Sequence, residues 1–560
     1  MLRIEGINIE MRQHVSAAHE SESEGGNALA DKQEAASAEQ EALHSGAEQD
    51  APATEYPSGI KFWLAVTTLC LGIFLTTLDS TIVATAIPYI SDEFHSLKDV
   101  GWYGSIYLMA VCTSQLLFGK LSARYSICWI YGAAMFVFLV GSAVCGAAPN
   151  SLALIAGRAI AGFGSSGLLL TAFSLVPSLA PPPKRFILLS LISIARSIGA
   201  TCGPLIGGAL TQRISWRWNF YINLPLGAFI YAAFLFSIIL PKRESEAFTS
   251  FSDLLQTLDL IGLAALVPCV VCILLALQWG GVQYSWGNGR IIALLVLFGV
   301  LGLVFIVIEF WQGEKAMLPS RIFTQRNVSY TSFYAFCTSG AIYVLTYYLP
   351  IWFQGVKEAS PLMSAVYTLP WLITSVITLL GGGAIISKLG HTDAFMFVGS
   401  VFGAVGSGLF TTFTPETSES KWIGYQIIFA IGSAFFSVTP LMVAQNALAF
   451  KDIPIGSSMV MFAQMMGSSI FVSVAQALFT NNLTSGLQRL GISGIDAGTV
   501  STTGVTSITQ GLSENIKRAV LRVINDALVQ SWRLPIGLRG VSIVGALAVE
   551  HRKSKSKDGA

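Results

Sequence analysis

The chain has 560 residues, of which 53% are hydrophobic and only 12% are charged, and its mean hydropathy is +0.62. Soluble globular proteins carry about twice that charged fraction. The apolar residues fall in repeated segments long enough to cross a bilayer. These features exclude an ordinary soluble protein. They indicate an all-α polytopic membrane protein, since a helix satisfies its own backbone hydrogen bonds within one apolar segment.

The net charge of +1 conceals an acidic head. Residues 1–60 contain twelve acidic and three basic residues, a net charge of −9, and the other 500 residues carry +10. The head is rich in Ala, Glu, Ser and Gln, so we predict that residues 1–58 form a disordered, solvated cytoplasmic segment. It lacks the basic and apolar regions of a secretory signal, so the first span is expected to direct insertion.

Fourteen apolar segments are predicted to span the membrane. Six lie in an N-terminal bundle at 59–242, two in a linker at 243–313 and six in a C-terminal bundle at 314–550, followed by a basic cytoplasmic tail at 551–560. The fourteenth is short and contains Arg539, which leaves open a degenerate copy of the fold. The predicted spans are 60–82, 102–119, 129–148, 152–177, 187–210, 218–240, 258–278, 290–311, 328–353, 362–385, 394–413, 423–448, 455–479 and 534–549.

Basic residues predict that both termini are cytoplasmic. The inner loops and tail then hold fifteen Lys and Arg and the short outer loops six, as the positive-inside rule requires. Residues 480–533 become a long outer segment with a glycosylation sequon at Asn482, whereas the sequon at Asn327 lies inside, so only Asn482 is expected to carry a glycan. The outer segment also contains a predicted amphipathic helix with one apolar side, formed by Ala519, Val523, Ile524, Ala527 and Leu528.

Two of the charged residues within predicted spans are candidates for coupling, Asp79 in span one and Arg158 near the start of span four. A carboxylate at membrane depth costs about 2.5–3.5 kcal/mol on insertion scales, which makes Asp79 a functional candidate. Gly162 and Ser166 continue the Arg158 helix face and leave room for its side chain, where a cation could hold a carboxylate ionised. The alternatives are a purely structural ion pair for Asp79 and a snorkelling position for Arg158.

Span five contains the string GATCGPLIGGAL at 199–210. Gly199, Gly203 and Gly207 recur every four residues and therefore line one helix face, which lets another helix approach closely. Pro204 removes a backbone hydrogen bond and is expected to bend the helix, and Gly208 completes the string. By itself such a face indicates helix packing only.

A weak internal repeat relates the two predicted halves. Gly119 and Arg124 follow span two, Gly383 and Lys388 follow span ten, and a shift of 264 residues relates the two pairs. Equivalent loops in two six-helix halves predict equivalent gating positions in a transporter built from repeats.

Several strings resemble motifs of one transporter family. The glycine string is similar to the antiporter motif of the major facilitator superfamily, LDSTIVATAIP at 78–88 to the span-one motif of its fourteen-helix drug:proton antiporters, and RAIAGFGSSG at 158–167 to its span-four arginine motif. WRWNFYINLPLG at 216–227, YYLPIWFQ at 347–354 and the string at 451–476 resemble fungal members, especially toxin efflux pumps of secondary-metabolite gene clusters. The resemblance covers residues 60–530.

The resemblance implies the major facilitator fold, two six-helix bundles plus two linker helices, and a proton-coupled efflux transporter of drugs, toxins or fungal secondary metabolites. It implies proton-coupling roles for Asp79 and Arg158, with a proton gradient in place of a cofactor and no metal. The expected partners are the lipid bilayer, a small hydrophobic substrate and protons, without nucleic acid. We expect a monomer in the plasma membrane, with a vacuolar or vesicle membrane as the alternative.

Polar-tipped and aromatic side chains within the spans are candidates for the substrate cavity, since such walls suit a bulky apolar ligand. Trp and Tyr also favour membrane interfaces, which leaves a second interpretation for several of them. Arg196 could bind an anionic substrate group or could disturb coupling. The candidates are Tyr107, Gln115, Arg196, Tyr343, Tyr347, Trp352, Gln354, Trp371, Gln445 and Gln464.

The chain departs from the family pattern in GKLSARYSICW at 119–129, which has Ala123 in place of an acidic residue and Ile127 and Cys128 in place of basic ones. This puts the salt bridges of the gating loop in doubt. An uptake carrier of the same fold and a non-transporting paralogue remain alternatives. A membrane enzyme is not indicated, because the sequence has no zinc-protease or phosphate-loop motif and no mid-span histidine.

Overall fold

The computed structural model describes residues 56–96, 99–237, 258–281, 283–389, 392–490 and 514–550. The acidic head up to residue 55, Lys98, Lys242, Arg243 and the basic tail lie outside these ranges, as do residues 491–513 of the predicted outer segment. Within the described ranges the chain forms helices and no β-strand, which confirms the all-α prediction.

Fourteen long helices follow the order of the predicted spans, and we number them α1–α14. Within the described ranges, thirteen have the length and apolar composition of a membrane span. A 3-10 turn interrupts α12. The helices are α1 Gly59–Ile82, α2 Val100–Arg124, α3 Ile127–Gly146, α4 Ser151–Leu179, α5 Pro182–Arg213, α6 Asn223–Ser237, α7 Leu260–Trp279, α8 Gly289–Gln312, α9 Arg326–Gly355, α10 Leu369–Leu389, α11 Asp393–Phe410, α12 Glu419–Ser433 with Thr439–Ala447, α13 Ile453–Arg489 and α14 Arg533–Ala548.

The fourteenth predicted span is a packed helix. α14 has 16 residues, about 24 Å at 1.5 Å per residue, which is short against a hydrocarbon core of about 30 Å. It packs against α9 and α11, and Ser542 shares a 2.7 Å hydrogen bond with Ser400 of α11. Arg539 is fully buried. The C-terminal half therefore has six helices, as the predicted plan requires.

The predicted amphipathic helix of the outer segment is present at Glu514–Ser531, and we call it the outer helix. α13 has 37 residues, about 55 Å, so it extends well beyond one membrane thickness, and the outer helix packs against it. Trp352 Nε1 in α9 donates to Asn525 Oδ1 of the outer helix at 2.9 Å. Asn525 Nδ2 in turn donates to the carbonyl of Phe413, just beyond α11, at 2.9 Å.

The two six-helix halves share a hydrophobic core at one end. We call the end at which α1 begins the inner end, because it is the end predicted to be cytoplasmic. There one hydrophobic core contains Phe118 and Phe186 of the N-terminal half and Phe435 of the C-terminal half. Toward the other end the described residues form separate cores, one with Phe220 and one with Trp352. Packing between the halves is thus concentrated toward the inner end, and we infer a cleft between them toward the outer end.

Candidate functional site

The structure brings Asp79 and Arg158 together inside the N-terminal half. Asp79 lies in the last turn of α1 and Arg158 in the second turn of α4. Arg158 NH1 lies 2.6 Å from Asp79 Oδ2, and both side chains have 0% exposure. A buried charge is tolerated when it is paired and hydrogen-bonded, so each residue provides the opposite charge and the hydrogen bond that allow the other to be buried.

Asn223 holds the second oxygen of the carboxylate. Its Nδ2 donates to Asp79 Oδ1 at 2.7 Å and to Ser142 Oγ of α3 at 3.1 Å. Asn223 begins α6, so side chains from α4 and α6 hold the Asp79 carboxylate directly, and α3 holds Asn223 through Ser142. The sequence reasoning missed Asn223 although it lies in the string WRWNFYINLPLG, because a neutral amide in a span does not indicate which residue it binds.

Two tyrosines of α2 complete the surroundings of Arg158. Arg158 Nε donates to the Tyr103 carbonyl at 3.1 Å, and its Cζ lies 4.2 Å from the centroid of the Tyr107 ring, within the range of a cation–π contact. The Tyr107 hydroxyl donates to the Thr76 carbonyl at 2.9 Å. Tyr107 therefore belongs to the buried ion-pair cluster, which corrects its prediction as a cavity residue. We call Asp79, Arg158, Asn223 and Tyr107 the charge cluster.

The glycine face of α5 packs against α1, the helix that carries Asp79. A Cβ built on Gly199 would lie 2.7 Å from the Phe74 carbonyl oxygen, and one built on Gly207 would lie 2.6 Å from the Ile82 carbonyl oxygen. Neither position has room for a side chain. Pro204 is exposed on another side of α5. The antiporter string thus forms the contact through which α1 and α5 approach each other.

We expect Gly203→Ala to weaken this contact and Gly208→Ala to leave it intact. A Cβ at Gly203 would overlap the Thr81 hydroxyl, whereas Gly208 has nothing within 4 Å. Both substitutions gain about 1 kcal/mol of helix propensity, so their difference isolates the α1–α5 contact, where overpacking costs about 1–3 kcal/mol. Thermal unfolding of the purified variants measures this difference, and equal midpoints would contradict the close approach.

The two predicted gating glycines make equivalent contacts between the halves. Gly119 in α2 packs against the start of α13, where a Cβ would lie 2.6 Å from Ser458 Cβ. Gly383 in α10 packs against the start of α5, where a Cβ would lie 3.1 Å from the Phe186 ring. Each half thus closes on the other at the inner end through a glycine of the 264-residue repeat.

The inner end also holds a salt bridge that the gating-loop sequence did not predict. Arg321, just before α9, lies 2.6 Å from Asp452, just before α13. Hydrogen bonding to Asp452 raises the pKa of the Arg321 guanidinium, so the guanidinium stays charged. Arg124 ends α2, and the backbone of Lys388 lies in the last turn of α10 at the same end.

A polar contact crosses between the halves at the floor of the cleft. Arg196 of α5 donates from NH2 to the Tyr343 hydroxyl of α9 at 2.6 Å. Toward the outer end, Ala200 and Pro204 on α5 and Tyr347 on α9 are exposed, whereas the α5 residues one turn toward the inner end are buried. Arg196 and Tyr343 therefore lie where the closed inner end meets the open cleft.

The other cavity candidates have different surroundings. Tyr347 and Gln354 share the Tyr343 side of α9 by their helical spacing, and both retain some exposure. Gln115 and Gln464 are buried in contacts between helices. Trp352 is fully buried in the core beneath the outer helix, so the structure corrects its prediction as a cavity residue.

The two sequons differ in accessibility. Asn482 is exposed on the outer extension of α13, whereas Asn327 is 5% exposed and its Oδ1 accepts the Glu550 backbone N–H at 2.9 Å. We expect Asn482→Gln to remove an endoglycosidase-sensitive gel shift and Asn327→Gln to leave it unchanged. A glycan at Asn327 would contradict the predicted orientation.

Two six-helix halves that share a core at one end have the architecture of a membrane transporter built from structural repeats. The chain belongs to the Major Facilitator Superfamily, whose family model matches residues 69–475. It is 41% identical over 506 residues to the MFS-type transporter phomT of Diaporthe leptostromiformis, covering 90% of this chain and 85% of that protein. It is 39% identical to the efflux pump aflT of Aspergillus parasiticus, covering 91% and 99%. It is 42% identical to the efflux pump roqT of Penicillium rubens, covering 87% and 90%.

Solved structures share the fold at low sequence identity. The proton:xylose symporter XylE has a TM-score of 0.55 at 13% identity, covering 86% of this chain and 94% of that one. The human organic anion transporter MFSD10 has a TM-score of 0.52 at 15% identity, covering 88% and 100%. Family membership makes the chain a multi-pass membrane transporter rather than an enzyme.

Proposed function

We propose that this protein is a proton-coupled exporter of small hydrophobic compounds, such as drugs, toxins or fungal secondary metabolites. The observation that carries the proposal is the fully buried Asp79–Arg158 pair, a titratable group at a depth where charges usually serve transport. The efflux pumps named among its relatives support the direction of transport. The plasma membrane is the proposed location. In a vacuolar or vesicle membrane, the alternative location, the proposed cycle would run in the same direction relative to the cytoplasm.

The proposed proton step uses the charge cluster. A proton from the outer side binds Asp79 and removes the negative charge from the pair. Arg158 then keeps its contacts with the α2 tyrosines and with the Asp79 carbonyl, and the electrostatic attraction between α4 and α1 weakens. The proton leaves toward the inner side when the pair re-forms in the other conformation.

The proposed coupling to substrate passes through α1. Asp79 lies on one side of this helix, and the contacts with the glycine face of α5, including Phe74 and Thr81, lie on the opposite side. α5 also carries Arg196 at the cleft floor. Because packed helices shift as rigid bodies, a movement of α1 on proton release displaces the cleft wall. Proton and substrate therefore influence each other without touching.

The membrane potential can drive this cycle. One charge moving inward gains about 2.3 kcal/mol per 100 mV. Since about 1.4 kcal/mol is a tenfold ratio, one proton supports roughly a fiftyfold substrate gradient. No nucleotide-driven step is needed for export of that size.

Dye retention in cells tests the direction and the energy source. Cells that express the chain are loaded with the neutral hydrophobic dye Nile red, and their content is followed with and without a protonophore. The proposal predicts lower content than in control cells, restored by the protonophore. Higher content would indicate the uptake alternative, and content that ignores the protonophore would contradict proton coupling.

A further inference from the structure

We propose that the cleft binds substrates with a negatively charged group, a carboxylate or an ionised phenol or enol, more tightly than neutral ones, and that Arg196 binds that group. The inference deepens the proposed function and rests on it for the direction of transport. It concerns a cation at the cleft floor that the proton-coupling step does not use.

Arg196 lacks a counter-charge within the described part of the chain. Its guanidinium donates to a neutral hydroxyl, that of Tyr343. By contrast, Arg158, Arg217 and Arg321 each lie within 2.9 Å of a carboxylate oxygen. Arg196 is thus an arginine with capacity left for an anion, because a guanidinium has five N–H donors.

The depth of Arg196 makes a counter-charge important. Arg196 lies near the middle of the 32-residue helix α5, about 21 Å along the helix from its first residue. An arginine at such depth faces a partner or a water-filled path as a rule. The Asp79 carboxylate does not provide this counter-charge, because it lies on the side of α1 away from α5 and is bound by Arg158 and Asn223. An anionic substrate would supply the missing charge.

The surroundings suit an aromatic acid. Tyr343 and Tyr347 lie one helical turn apart on the same side of α9, and Tyr347 is 55% exposed. An aromatic substrate held at the guanidinium would thus have the Tyr343 and Tyr347 rings within one helical turn of its charged group. The Tyr343 hydroxyl accepts a hydrogen bond from Arg196. When a substrate anion accepts from Arg196 instead, the hydroxyl can donate its own proton to that anion. An anion therefore forms an ion pair with the guanidinium in addition to its hydrogen bonds, and a neutral analogue forms hydrogen bonds alone.

The contact between Arg196 and Tyr343 also joins the two halves, so a purely structural role is the competing explanation. A structural role predicts that loss of Arg196 affects charged and neutral ligands alike. A binding role predicts that it affects charged ligands alone. The test must therefore compare two ligands that differ only in charge.

The test measures binding of 4-(pyren-1-yl)butyrate and its methyl ester to the full chain in phosphatidylcholine nanodiscs at pH 7.5. Energy transfer from the 12 tryptophans to pyrene reports binding. The variants are Arg196→Gln, Arg196→Lys and, as a matched control, Arg213→Gln, which removes an exposed arginine from the outer end of the same helix. Arg196→Lys keeps the charge and serves if Arg196→Gln does not fold.

We expect the wild type to bind the acid at least about tenfold more tightly than the ester, since a hydrogen bond to a charged group is worth that ratio or more. Arg196→Gln should weaken binding of the acid by roughly 10–100-fold and of the ester by less than about threefold. Arg196→Lys and Arg213→Gln should keep the preference for the acid.

Three results would overturn the inference: no preference in the wild type, a preference that survives Arg196→Gln, or equal losses for both ligands. Loss of the preference in Arg196→Lys, together with an unfolded Arg196→Gln, would also overturn it. Binding does not depend on transport. A protein that binds the acid through Arg196 but exports neither ligand from cells would contradict the proposed function and leave this inference standing.

Discussion

Asp79→Asn is expected to abolish proton-coupled efflux while the protein still inserts and folds. Asparagine keeps the shape of the side chain and can still bond with Asn223, but it cannot take up or release a proton. Efflux of Nile red should fall to the level of cells without the transporter, and the protonophore should have no further effect. The measurement is dye content at matched surface expression.

The matched control is Asp92→Asn, which removes an exposed carboxylate close to the outer end of α1. This variant should export like the wild type, because its carboxylate faces no buried partner. If Asp79→Asn protein still exports the dye, and the protonophore still stops that export, then Asp79 does not lie in the proton path.

Arg158→Met is expected to destabilise the folded protein strongly. Removing one partner of a buried ion pair leaves an uncompensated charge and costs about 3–5 kcal/mol, whereas replacing both partners is often close to neutral. The thermal midpoint of purified Arg158→Met should therefore drop well below that of the wild type. Asp79→Asn combined with Arg158→Met should recover part of the loss.

The double variant separates two roles of Arg158. Arg158→Met also removes the contacts with the Tyr103 carbonyl and the Tyr107 ring, and that loss persists in the double variant. If the double variant unfolds at the same temperature as Arg158→Met, these contacts rather than the ion pair account for the stability. Partial recovery indicates that the unpaired carboxylate was the main penalty.

The sequence predicts the helices well because the bilayer constrains them. An apolar segment of spanning length must satisfy its backbone within itself, so α1–α13 follow from composition. The short α14 was the doubtful case, and it forms a helix because α9 and α11 cover its buried face, including Arg539 and Ser542. That cover comes from distant parts of the chain and leaves no local signal.

The candidate site was predictable in part for the same reason. Asp79 and Arg158 are conspicuous as charges within apolar segments, and the glycine face follows from spacing. Asn223 and Tyr103 are not conspicuous, since neutral polar groups occur in spans for many reasons. Arg196 and Tyr343 were both singled out, but their hydrogen bond joins residues 147 positions apart and depends on how the halves close.

Trp352 shows how an aromatic residue misleads. Its indole suits a ligand wall or a membrane interface equally well by composition. In the structure it is fully buried and bonds with Asn525 of the outer helix. The amphipathic pattern predicted that helix correctly, but the pattern does not indicate which part of the protein the helix covers.

The most direct test of the account is substrate-dependent proton movement. In inside-out membrane vesicles the outer face of the transporter faces the lumen. The lumen is made acidic, and a pH-sensitive dye inside it reports the protons that leave. Adding a hydrophobic substrate outside should alkalinise the lumen of vesicles with the wild-type protein and leave those with Asp79→Asn unchanged. If the wild type transports the substrate and the lumen pH does not change, proton-coupled export is contradicted.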